Sequence, residues 1–223
     1  QQAVKNNLCK GLINSYFLCQ EPAPTIEVFD KDTIYSTYKD IVSVLSNNPN
    51  IELSILQGLS YCFYELLDNV LTHSKKECGT VLLQYQASSN RIQILVADDG
   101  IGIRKSLSEN PIYKDITEKE ALLLCIKDNV TDGKGMGFGL YSTLRLVENA
   151  GITMKVASEN HILSFDGKKT EINTIPFWQG TVVYFELYSN KEIKPNEILE
   201  NRADCESQYY DEFINEDELN KLW

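Results

Sequence analysis

Between Leu59 and Leu71 apolar residues recur at three- and four-residue intervals: Leu59, Cys62, Phe63, Leu66, Leu67, Val70 and Leu71. That spacing predicts an amphipathic helix and is the strongest helical signal in the chain. Upstream, residues 25–29 alternate as a strand does. Ile34, Tyr38, Ile41, Val42 and Leu45 then carry helical spacing across residues 33–45, closed by Asn47, Asn48, Pro49 and Asn50. Residues 1–24 mix amides with apolar side chains before the break at Pro22 and Pro24, and are expected to form a leader or a short helix. Downstream, two alternating apolar runs, 80–87 and 91–97, flank Ser88, Ser89 and Asn90, which predicts a hairpin. Thr117 and Glu120 make a capping box ahead of Ala121, Leu122, Leu124, Cys125 and Ile126. A loop over residues 127–139 precedes another helix at 140–148, ended by Asn149 and Gly151. Residues 152–157, 161–165 and 181–187 read as strands.

Helices and strands in this order do not alternate strictly. They predict an α+β two-layer sandwich, a mixed and mostly antiparallel sheet with helices packed on one face. Three segments are expected: an N-terminal extension with a strand–helix unit (1–50), a main domain (51–190) and a tail (191–223). In the tail, Tyr209, Tyr210, Phe213, Ile214, Leu219, Leu222 and Trp223 could line an amphipathic helix.

Charge narrows the function classes. The chain has 223 residues and a net charge of −11, which disfavours nucleic acid and anionic membrane as partners, since both reward basic patches. The acid is concentrated after Pro195, where nine carboxylates face Arg202 and Lys221, so the rest of the chain is nearly neutral. The six cysteines show no paired metal-ligand spacing and the chain has only two histidines, His73 and His161, so a zinc site is not expected. Cys62 and Cys125 fall in apolar helical stripes and read as reduced thiols of an intracellular, cytoplasmic protein. No apolar run reaches the roughly 18 residues of a membrane span, and no signal peptide is apparent. Because Gln1 is not an initiator Met, residues upstream are expected to have been removed or left out. Lys75 and Lys76, Lys168 and Lys169, and His161 read as ordinary surface or strand residues.

Three motifs carry chemistry. Glu65, Asn69 and His73 lie four apart on one line of the strongest helix, beside the apolar line of Cys62, Leu66 and Val70. A carboxylate, a carboxamide and an imidazole on that line could share a cleft, or could form a solvated helix face. Asp98, Asp99, Gly100, Ile101 and Gly102 follow an apolar strand. A carboxylate there can accept a hydrogen bond from an exocyclic amine and glycines admit a flat ring, although Asp–Gly is also common turn chemistry. Finally, Gly133, Lys134, Gly135, Gly137 and Gly139 open into a helix at Leu140. Such a loop offers unpaired N–H groups and the positive helix end to phosphates, unless it is merely flexible. It is not a P-loop, because no Gly-Lys-Ser or Gly-Lys-Thr ends it.

In this order the three motifs resemble the N, G1 and G2 boxes of the GHKL ATPase superfamily. That group joins gyrase B-type topoisomerases, ninety-kilodalton heat-shock chaperones, MutL-type repair proteins, histidine kinases and anti-sigma-factor kinases. The resemblance covers about residues 53–187 and implies the Bergerat ATP-binding fold, with ATP and Mg²⁺ as ligands. It implies that Asn69 ligates Mg²⁺ and that Glu65 acts as general base or orients the group attacking the γ-phosphate. Asp98 would receive the adenine amino group, with Gly100 and Gly102 shaping that pocket and Thr181, after Gly180, in the strand behind it. Gly135, Gly137, Gly139 and Leu140 would form a lid hinge and phosphate cradle, with His73 and Lys134 as further phosphate contacts. Phe138 departs from the Leu many histidine kinases have.

Residues 1–64 contain no His, so a phosphoacceptor His on an upstream dimerising helix pair is not expected in this chain. Only 36 residues follow Leu187, so the transducer domain of gyrase-, chaperone- and repair-type members is likewise not expected. The resemblance is nearest to stand-alone histidine-kinase-like or anti-sigma-kinase-like members. Two activities are consistent with it: hydrolysis of ATP or transfer of its γ-phosphoryl to a partner protein, and a non-hydrolysing ATP-dependent switch that grips a partner. A homodimer is compatible with both.

Overall fold

The computed structural model describes residues 25–133 and 139–194. Five strands, β1 (Thr25–Asp30), β2 (Cys78–Gln86), β3 (Arg91–Ala97), β4 (Gly151–Phe165) and β5 (Thr170–Tyr188), make one sheet. Five helices join them: α1 (Ile34–Ser46), α2 (Leu53–His73), α3 (Ile103–Leu107), α4 (Glu118–Cys125) and α5 (Gly139–Ala150). The strand order is β1-β2-β3-β5-β4, and every pairing is antiparallel, so the sheet has no parallel ladder among the described residues. The fold is the α+β sandwich expected.

Helix α2 realises the apolar stripe and extends upstream to Leu53, because Ile55 and Leu56 are buried with it. Its apolar face, with Phe63, Leu66 and Leu67, packs over the inward residues of the sheet, among them Ile92, Ile94, Phe185 and Leu187. Alternation then places Leu95, Ala97, Val182 and Tyr184 on the opposite face, where Leu82, Ala157, Ile162 and Ile175 join them in a second cluster. Both faces of the central strands are apolar, which is why their sequences read as nearly continuous hydrophobic runs. Strand β1 pairs with β2 at the sheet edge, and α1 lies on α2 through Tyr38, which stacks on Phe63 and meets Tyr64 edge-on.

The hairpin between β2 and β3 turns through a 3₁₀ segment, Ala87–Ser89, with Asn90 left-handed. Thr117 caps α4 as the sequence implies, accepting from the Glu120 amide while the Glu120 carboxylate accepts from the Thr117 amide. Helix α3 has no counterpart in the sequence pattern, and the last strands differ from expectation. The predicted strands 152–157 and 161–165 are one strand, β4, continuous through register irregularities between Ser158 and His161. Strand β5 begins at Thr170, well before the predicted 181, because pairing with β4 holds a stretch whose apolar positions are interrupted by Glu171, Asn173, Thr174 and Pro176. Among the described residues no helix is long and apolar enough to cross a membrane.

Candidate functional site

Three elements meet at the C-terminal half of α2. Glu65, Asn69 and His73 sit on it at successive four-residue steps, each half-buried, next to the buried Leu66, Leu67 and Val70. Helix α5 starts directly against this line. A Cβ at Gly139 would lie 2.5 Å from the Asn69 amide nitrogen and 3.2 Å from the Glu65 Cβ. Only glycine lets the helix begin there without displacing Asn69. The first-turn N–H groups and the positive end of α5 therefore stand beside a carboxamide and a carboxylate.

The second wall is the turn after β3. Asp98 is buried at the strand end, where its amide donates to the Thr181 carbonyl at 2.9 Å. Its Oδ1 accepts from the Gly100 amide at 2.8 Å. Burial nevertheless dominates and pushes the carboxyl up to about 6, against the lowering effect of the Gly100 and Thr181 hydrogen bonds. The turn is docked rather than exposed: the Ile101 amide donates to the Ser74 carbonyl at 3.0 Å, at the end of α2. A Cβ at Gly100 would lie 2.5 Å from the Ser74 Cβ and 2.8 Å from Asp98 Oδ1. Gly102 takes φ +81°, a conformation natural to glycine, and from there α3 begins with the Ile103 amide on Ser158 Oγ at 3.1 Å.

Between these walls lies a cleft with a cavity volume of about 110 Å³, lined by Asn69, His73, Asp98, Gly102, Gly139, Leu140 and Thr181 among others. The cleft gathers most of the residues singled out in the sequence. Glu65 lies beneath Gly139, and Gly100 lies behind Asp98. Lys134, Gly135, Gly137 and Phe138 lie outside the described residues, as do residues 1–24 and the tail after 194.

Several contributors are not visible in local spacing. Asp132 Oδ2 lies 2.8 Å from His73 Nδ1 and accepts from Ser106 Oγ at 2.8 Å, joining residues far apart in the chain. Trp178 donates its indole N–H to the Asp98 carbonyl, and Gly180 leaves room for Asp98, since a Cβ there would overlap that carbonyl. Cys125 also lines the cleft, with its Sγ donating to the Leu122 carbonyl at 3.2 Å and burial pushing its thiol up to about 12. Lys75 and Lys76 reach Glu109 and Asp99 at 2.9 and 3.5 Å, and His161 meets Glu118 at 2.6 Å. No set of three His, Cys, Asp or Glu residues able to hold a metal ion occurs among the described residues.

Residues 55–189 match the model of one protein family, described as histidine kinase-, DNA gyrase B- and HSP90-like ATPase. No curated protein matches the chain.

Proposed function

The chain belongs to the histidine kinase-, DNA gyrase B- and HSP90-like ATPase family, and we propose that it binds Mg-ATP in this cleft and moves the γ-phosphoryl to water or to a partner protein. The juxtaposition of Gly139 with Asn69 and Glu65 is the observation that carries the reading. It sets a helix N-terminus, a carboxamide and a carboxylate around one point, with a buried carboxylate at the other end of the same cleft. Phosphoryl transfer asks chiefly for positioning and charge neutralisation, which this arrangement suits.

Asp98 accepts from the adenine amino group, with Gly100 and Gly102 giving the ring close access and Thr181 behind it. Glu65 orients or deprotonates the attacking group. Gly139 and Leu140, with Gly135, Gly137 and Lys134 of the preceding loop, hold the phosphates, and His73 contacts them from α2. The donor set fits Mg²⁺: Asn69 offers one hard oxygen, and this ion takes few protein ligands while phosphates and waters supply the rest. When bound, Mg²⁺ neutralises charge between phosphates.

A second reading, an ATP-dependent switch that grips a partner without hydrolysis, has its own support. The cleft is tied to the β4–β5 hairpin by Trp178 on Asp98 and by Arg104 on Glu159, a route from nucleotide to surface. Purified protein with γ-labelled Mg-ATP, alone and with candidate partners, separates the two. Label released as phosphate or moved to a partner, and lost in Glu65→Gln, supports the enzyme. Tight binding without turnover supports the switch. No binding of ATP or ADP at millimolar concentration overturns both.

A further inference from the structure

His73 is not a lone imidazole at the rim of the cleft. Its Nδ1 lies 2.8 Å from Asp132 Oδ2, and the Asp132 side chain is only 1% exposed. The same oxygen accepts from Ser106 Oγ at 2.8 Å. With Asp132 ionised, its carboxylate only accepts; Nδ1 then carries the proton toward it, and Nε2 is the ring nitrogen turned to a ligand. Asp132 is itself anchored. The carbonyl of the preceding Thr131 accepts from the Asn110 amide group at 3.1 Å, and the Gly133 amide turns back onto Thr131 Oγ1 at 3.1 Å.

Position along α2 says what Nε2 would meet. The helix runs from Glu65 past Asn69 to His73, and the next residue, Ser74, packs against Gly100 and so against the Asp98 end of the cleft. His73 therefore lies between the carboxamide and the buried carboxylate. In a nucleotide whose base sits at Asp98 and whose terminal phosphate sits near Glu65, this is the level of the inner phosphates.

We propose that Asp132 is a positioning residue: it locks the His73 ring so that Nε2 contacts the inner phosphates of the bound nucleotide, making recognition of the diphosphate depend on a side chain at the entry to the glycine loop. The inference rests on the reading of the cleft as an ATP site and adds to it the residue that orients one of its phosphate contacts.

The test compares ADP with adenosine, which has the base but no phosphate. Asp132→Asn and His73→Gln should each weaken ADP about tenfold while adenosine affinity stays within about twofold. The double variant should be little worse than either single one, because the two side chains act as one unit. Equal loss for ADP and adenosine in Asp132→Asn marks a merely structural role and overturns the proposal. So does additivity in the double variant. Nitrogen-15 NMR of the wild type decides even where the Asp132 variant fails to fold: His73 Nδ1 should be protonated without nucleotide, and the Nε2 resonance should move with ADP but not with adenosine. An Nε2-protonated, Nδ1-bare ring in the free protein, or an Nε2 signal indifferent to ADP, overturns this inference alone. A wild type that binds neither ligand overturns the ATP reading and takes the inference with it.

Discussion

The Trp178 indole nitrogen donates to the main-chain carbonyl of Asp98 across 3.0 Å, from strand β5 to the turn that closes β3. Gln179 repeats the contact on the Asp99 carbonyl at 3.4 Å. The hairpin thus fixes the backbone of the residue assigned to the base, from the side away from α2. Trp178→Phe keeps most of the ring packing and removes the donor. It should cost about 1 kcal/mol of stability, the net value of a neutral hydrogen bond. ATP affinity should fall several-fold as the Asp98 turn loosens. Urea unfolding and ligand titration of the same variant check both numbers.

Gly180 and Gly139 approach the site from opposite ends, and their alanine variants should fail differently. A Cβ at Gly180 meets the Asp98 carbonyl, main-chain atoms that cannot swing aside, and lies 2.6 Å from Asp98 Oδ1. Gly180→Ala should therefore destabilise the fold by about 1–3 kcal/mol, as overpacking does, and lose nucleotide as well. A Cβ at Gly139 meets chiefly the end of the Asn69 side chain, at 2.5 Å. That side chain can rotate away, so Gly139→Ala should keep a melting temperature near wild type and lose Mg-ATP binding. Thermal melts with and without Mg-ATP tell the two apart.

Arg104 donates through Nε and a terminal nitrogen to both oxygens of Glu159, each at 2.9 Å, and the Glu159 side chain is only 6% exposed. Glu159 holds φ +54° at the irregular step of β4, so this ion pair clamps α3 to a strained point of the hairpin. Glu159→Gln leaves the guanidinium without its charged partner and should cost about 2 kcal/mol. Because the Glu159 side chain is buried while that of Arg104 is 35% exposed, the loss should shrink modestly from low to moderate salt. Denaturant melts at two ionic strengths measure it.

The capping box at Thr117, the α2 stripe and the β2–β3 hairpin were legible because each signal is local: cap, period or turn chemistry lies within a few residues. So was the grouping of Asn69, Asp98 and Gly139, which came from the order of three motifs rather than from any one of them. Helix α3 was not legible, since Ile103–Leu107 is too short to show a period and starts from a contact with Ser158, 55 residues on. The early start of β5 was hidden for a like reason: Glu171, Asn173 and Thr174 are ordered by strand pairing and not by their own pattern. Asp132 and Trp178 serve the cleft only through long-range contacts, and Asp–Gly at 132–133 carries no local signal beyond that of a loop.

Asp98 should make both stability and binding depend on pH, with opposite signs. Burial raises its carboxyl from the ordinary 3.8 to about 6, so the folded protein favours the neutral acid. Below pH 3.8 the group is protonated in both states and exacts nothing. Between 3.8 and 6 the unfolded chain ionises first and the folded state falls behind. Above 6 the deficit is complete, about 3 kcal/mol for a shift of roughly two units. Asp98→Asn has no such deficit, so it should be more stable than wild type at pH 7 and lose that advantage as the pH falls toward 4. Urea midpoints at several pH values give the curve. Binding runs the other way, because the ionised carboxylate is the better acceptor for an amino group. Lowering the pH from 7 to 5 protonates most of Asp98 in the free site, and ATP affinity should drop about tenfold. The Asn variant should bind weakly and show no such fall. A wild-type affinity that stays flat across that range would remove Asp98 from the adenine contact.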